Sequence, residues 1–133
     1  MSDFTDLDRF VSTLTEHRVD VIIVGGVAGS LHGAARATYV LDVVYARGPA
    51  NLARLVAALD GLQPYLRGAP KGLPFRWDVE TLARGLNFTL TTSAGNIDLL
   101  GEIAGGGRYE DLLAHTIEVR AFGVTCRCVT LAL

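Results

Sequence analysis

The run Val19-Asp20-Val21-Ile22-Ile23-Val24 stops abruptly at Gly25-Gly26 and passes into a short helix-like segment from Val27 to Gly33. No other feature constrains the fold as much. A stretch dominated by Val and Ile reads as a strand buried on both faces. A glycine pair lets the backbone turn tightly at its end and approach a neighbouring group closely. A strand, a tight turn and a helix in immediate succession point to a layered fold with helices packed on a sheet.

The rest of the chain extends that pattern. Thr5 and Asp8 read as a capping box, followed by Leu7, Phe10, Val11 and Leu14 at helical spacing, so a helix is predicted from Asp6 to His17. Thr38 to Ala46 reads as a second strand, broken by Gly48-Pro49. Asn51 then reads as the cap of a helix carrying Leu52, Leu55, Val56 and Leu59. Gly61 to Pro74 is rich in Gly and Pro and reads as a loop or lid. Asp78 to Leu82 reads as a helical turn. Phe88 to Thr92 and Asn96 to Leu100 read as a hairpin turning at Ser93-Ala94-Gly95. A helix at Tyr109 to Ala114 and two strands, Ile117 to Ala121 and Val124 to Val129, close the pattern. The fold class is α/β (α+β), one mixed sheet in a single domain over residues 1–133.

Composition narrows the function. Half of the residues are hydrophobic, which places the chain in the globular class. The apolar runs are too short to span a bilayer, and the acidic N-terminus is no secretory signal, so a soluble cytoplasmic protein is expected. The formal net charge is −2 and the basic residues are scattered singly, which argues against a long duplex ligand. A nucleotide or an RNA end remains compatible. Cys126 and Cys128 alternate on one predicted strand face and read as core residues, with a metal site as the rarer reading.

Two acids stand out. Asp42 lies mid-way along an apolar strand, and Asp98 lies in another, Ile97-Asp98-Leu99-Leu100. An ionised carboxylate buried without a partner is costly. Either the two acids converge on a cation, or each pairs with Arg36, Arg47 or a backbone donor. The N-terminus of the helix after Gly25-Gly26 suits a phosphate, and a plain tight turn is the alternative.

Gly25-Gly26, the short helix, His32-Gly33, Arg36-x-Thr38 and the acid strand together resemble the nucleotidyltransferase superfamily, in particular the small bacterial AbiEii-like and minimal-nucleotidyltransferase proteins. Asn87 to Thr92, Asn96 to Glu102 and Tyr109 to Leu113 are similar to later segments of that group. The resemblance implies a nucleotidyltransferase-like mixed sheet flanked by helices. It implies transfer of a nucleoside monophosphate from a nucleoside triphosphate to a hydroxyl on a protein or RNA-end acceptor. It makes Asp42 and Asp98 the catalytic acids and the ligands of Mg²⁺, and Gly25, Gly26, Ser30, Arg36 and Thr38 the nucleotide-binding residues. Two metal ions would stabilise the attacking and leaving oxygens of an in-line displacement. It also suggests a place in a toxin–antitoxin pair, with a partner protein.

The chain departs from this pattern at one decisive position. The first acid of the Asp-x-Asp pair falls on Val40, in Val40-Leu41-Asp42. Valine offers no oxygen to a metal, so transfer activity is predicted to be lost or weak. A non-catalytic, antitoxin-like interaction module on the same fold is the rival reading. The final Thr130-Leu131-Ala132-Leu133 reads as the start of a helix, which predicts truncation at the C-terminus and, through uncovered apolar surface, a homo-oligomer. Four further residues carry weaker signals. Ser30 would donate to phosphate from the first helical turn. Phe75 and Trp77 either stack over a base or plug the core. Glu102 would join Asp98 if the strand ran that far.

Overall fold

A computed structural model describes residues 5–31, 40–105 and 107–130, without the side chains of Ser30 and Leu31. His32, Gly33, Arg36 and Thr38 lie outside the described residues.

The first helix, α1 (Leu7–Glu16), buries Phe10, Val11 and Leu14 along one stripe. Its N-cap is Asp6, whose carboxylate accepts from Arg9 N at 3.0 Å. The predicted capping by Thr5 is therefore corrected by one residue. The reason is a distant contact: Thr5 Oγ1 accepts from Asn96 N at 3.1 Å, and Asp6 N donates to Ala94 O at 2.7 Å. Thr5 and Asp6 are thus tied to a hairpin, and the cap falls to the next oxygen-bearing side chain.

Strand β1 (Val21–Val24) runs directly into α2 (Gly25–Leu31). The helix begins on the glycine pair itself, two residues earlier than predicted. Strand β2 (Val40–Tyr45) returns antiparallel to β1. Helix α3 (Pro49–Asp60) follows, with Gly48 at the N-cap and Pro at the start. Asn51, predicted to cap it, lies inside the helix and is buried. Its amide accepts from Asp20 N at 2.7 Å and donates to Asp20 O at 3.1 Å and Ala46 O at 2.8 Å. It bridges the ends of β1 and β2 by bonding backbone groups of Asp20 and Ala46.

The segment expected as a loop or lid contains a short strand, β3 (Tyr65–Leu66), paired with β4 (Asn87–Thr92). Tyr65 Oη donates to Pro70 O at 2.5 Å and accepts from Leu73 N at 3.2 Å, which fastens the loop down. Phe75 and Trp77 pack against the core, and Trp77 Nε1 donates to Val56 O at 2.9 Å. The core-plug reading of these rings holds over the base-stacking one. Helix α4 (Val79–Arg84), capped by Asp78, leads into β4 and then β5 (Gly95–Leu100). Helix α5 (Tyr109–Leu112), a 3₁₀ turn over Leu113–His115, and the hairpin β6 (Thr116–Ala121) and β7 (Val124–Val129) complete the fold.

The described strands form one mixed sheet of seven, in the order β3-β4-β5-β2-β1-β7-β6. Pairs β2–β5 and β1–β7 are parallel and the others antiparallel. Helices α1 and α3 cover one face, burying Ile23, Leu41, Val43 and Leu99 with Phe10 and Leu55. A smaller cluster on the other face gathers Ile22, Val24 and Val44 against Leu112. Cys126 and Cys128 lie on β7, and burial, followed by the neighbouring Cys126, pushes Cys128 up to about 11. A thiol so hard to ionise behaves as a core residue. No described helix is long and apolar enough to cross a membrane.

Candidate functional site

The sheet sets the site through register. Strands β2 and β5 run parallel with Asp42 directly opposite Asp98. Val40 lies opposite Asn96, two residues back along the same strand face. On the other side of β2, Asp42 faces Val24, the last residue before Gly25. The two acids therefore share one patch of the sheet, at the point where β1 turns into α2.

Gly25 sits close over that patch. Its φ is +70°, in the region that favours glycine, and a β-carbon there would collide with Asp42 Oδ2. The close approach expected of the glycine pair is thus made to the Asp42 carboxylate. Ser30 falls in the second turn of α2, because the helix starts at Gly25, and so is not a first-turn donor.

The electrostatics follow from two acids placed side by side. Burial, then the negative charge of Asp98, then a hydrogen bond between the two carboxyl groups push Asp42 up to about 6, against a smaller opposing pull from Arg67. A neutral Asp42 donates its proton towards Asp98, which relieves repulsion between the pair.

Asp98 has a partner that the sequence did not suggest. Arg67, just after β3, places Nη2 at 2.6 Å from Asp98 Oδ1. The same nitrogen also reaches Leu90 O at 2.9 Å and Ile97 O at 3.3 Å. Arg67 Nε is buried and has no hydrogen-bond partner among the described residues. Arg47, a candidate partner for the acids, is engaged elsewhere, donating to Tyr45 Oη at 2.5 Å and Leu82 O at 3.1 Å. Strand β5 ends at Leu100, so Glu102 does not extend the acid face; it pairs with Arg108 at 3.3 Å. The only sequence signal for Arg67 was its position after Tyr65-Leu66, a pair too short to read as a strand.

These donors suit one hard cation. Two opposed carboxylates offer oxygens, and a positive charge between them would offset the repulsion that raises Asp42. They do not suit a pair of cations. The side chain at position 40 carries no oxygen, and among the described residues no cluster of three or more His, Cys, Asp or Glu side chains could hold a metal. Arg67 also competes for Asp98.

The fold itself has a solved counterpart. The chain matches the crystal structure of a Thermotoga maritima protein provisionally described as a nucleotidyltransferase, with a TM-score of 0.60 over 95% of this chain and 76% of that one, at 12% identity. The architecture is a nucleotidyltransferase-like mixed sheet flanked by helices. No protein-family model and no curated protein matches the chain.

Proposed function

We propose that this chain is a nucleotidyltransferase-like protein that binds a nucleoside triphosphate with a single Mg²⁺ and transfers nucleotides weakly or not at all. One observation carries the reading: Asp42 and Asp98 oppose each other beside the Gly25 turn, while the same strand face presents Val40 where a third oxygen ligand would stand. Asp42 and Asp98 hold the cation. Gly25 and Gly26 receive the phosphates, with Arg36 and Thr38 as further contacts. The reaction class is transfer of a nucleoside monophosphate to a hydroxyl of a protein or RNA end, and Mg²⁺ supplies charge neutralisation at the phosphates when bound. An AbiEii-like role beside a toxin or antitoxin partner in the cytoplasm belongs to the same reading.

Titration calorimetry with ATP, CTP, GTP and UTP, with and without Mg²⁺, tests it. Weak binding that depends on Mg²⁺ and disappears in Asp98→Asn is expected. Absence of binding for all four nucleotides would overturn it.

A second reading is favoured by Arg67. Its guanidinium already neutralises Asp98, as a bound cation otherwise would. On that reading the chain is a non-catalytic, antitoxin-like interaction module, and nucleotides leave its stability unchanged.

A further inference from the structure

The two edges of the described sheet differ. Strand β3 contributes two residues, and its Tyr65 side chain holds the loop that follows, a very short edge of the kind that resists pairing. Strand β6 contributes six, with unbroken register to β7, and neither proline nor bulge interrupts it. It stands at the end of the strand order, so its outer side pairs with no described strand.

The hairpin fixes which backbone groups face outward. Phe122-Gly123 forms a two-residue turn with φ of +55° and +75°, the primed turn that suits a tight hairpin. Its closing pair, Ala121 with Val124, exchanges hydrogen bonds, and so does every second pair beyond it. Thr130 N donating to His115 O at 2.8 Å continues the same alternation. The N–H and C=O groups of Glu118 and Arg120 therefore point away from β7.

We propose that β6 pairs with β6 of a second copy of this chain, antiparallel about a two-fold axis at Val119. Charge selects that register. With the axis at Val119, Glu118 lies opposite Arg120 of the second copy, and the pairing occurs twice. An axis at Glu118 or at Arg120 would set like charges opposite each other. An edge guarded against self-pairing would carry one sign of charge; this edge carries a self-complementary pair. The Glu118 side chain is 65% exposed despite its bond to Arg127 at 3.4 Å, so it can receive a second cation. On the other face of the strand the axis brings Val119 against its symmetry mate and Ile117 against Ala121. Ile117 is 42% exposed, one of few large apolar side chains left in solvent among the described residues. The sheet would continue across both copies.

Sedimentation equilibrium on the full chain tests this. A concentration-dependent dimer is expected. Glu118→Arg and Arg120→Glu, each alone, set like charges across the axis and weaken it by about tenfold or more. Mixing the two variants should restore dimers, because each then presents the opposite sign to the other. Glu118→Pro removes an outward N–H while sparing the bonds to β7, and should abolish dimers with an unchanged circular dichroism spectrum. A chain that stays monomeric throughout, or a dimer indifferent to all three substitutions, would overturn the proposal. Failure of the mixed variants to re-associate would overturn the register.

Discussion

Gly25 lies so close over Asp42 that a β-carbon at position 25 would run into the carboxylate oxygen Oδ2. The glycine and the acid are a fitted pair, and the turn at the end of β1 is shaped by the side chain that β2 presents to it.

Gly25→Ala should therefore destabilise the protein twice over, through its left-handed φ and through the collision. The expected loss is about 2 kcal/mol. Asp42→Ala removes the oxygen that is struck, so the double variant should recover about 1 kcal/mol relative to the sum of the singles. Urea denaturation of the four proteins measures this. Strict additivity would show that the two residues do not touch.

The raised Asp42 carboxyl makes stability depend on pH in an unusual direction for an acid. The folded protein holds the Asp42 proton more tightly than the unfolded chain does, up to about 6 against 3.8. Its contribution is full below the unfolded value and is lost as pH rises through about 6. With allowance for partial exposure, the loss is about 2 kcal/mol. Asp42→Asn keeps a donor towards Asp98 at every pH. The difference in unfolding free energy between the native chain and Asp42→Asn should therefore shrink and change sign between pH 4 and pH 7, with the variant the more stable at pH 7. A difference that does not change with pH would contradict this assignment.

Arg67 is the counter-ion of Asp98, its Nη2 lying 2.6 Å from Oδ1. Arg67→Met should cost about 2 kcal/mol at pH 7.5, because it leaves a half-buried carboxylate without a cation. It should also raise Asp42 further, since Arg67 is the group that pulls it down. Mg²⁺ should stabilise the variant more than the native chain, because the guanidinium no longer competes for Asp98. Thermal melts with and without Mg²⁺ report this, and equal responses would show that the guanidinium does not compete with a cation for Asp98.

Much of this arrangement was legible in the sequence because it rests on short-range pattern. The β4–β5 hairpin follows from alternation around Ser93-Ala94-Gly95, and the abrupt end of β1 from its glycine pair. Asp42 and Asp98 could be brought together because each is an isolated acid in an apolar strand, and a shared cation would offset the cost of burying both. What was not legible depends on contacts across the chain. Asn51 carries the signature of a helix cap, but its amide serves carbonyls and an N–H at the ends of two strands. Thr5 carries the signature of a cap too, and its hydroxyl is taken by Asn96. Arg67 stands 31 positions before the acid it pairs with, in a segment whose Gly and Pro content hid a strand. Arg36 and Thr38 lie outside the described residues, so their roles rest on the sequence resemblance.

The central claim is that position 40 faces a cation site lacking one oxygen. The most direct measurement compares the melting temperature of the native chain and Val40→Asp, each with and without Mg²⁺ plus a nucleoside triphosphate. The account predicts that the variant alone melts lower, because three acids then crowd one sheet face, and that Mg²⁺ with nucleotide raises its melting temperature well beyond the shift seen for the native chain. Identical shifts in the two proteins would contradict the account, since position 40 would then have no part in binding a cation.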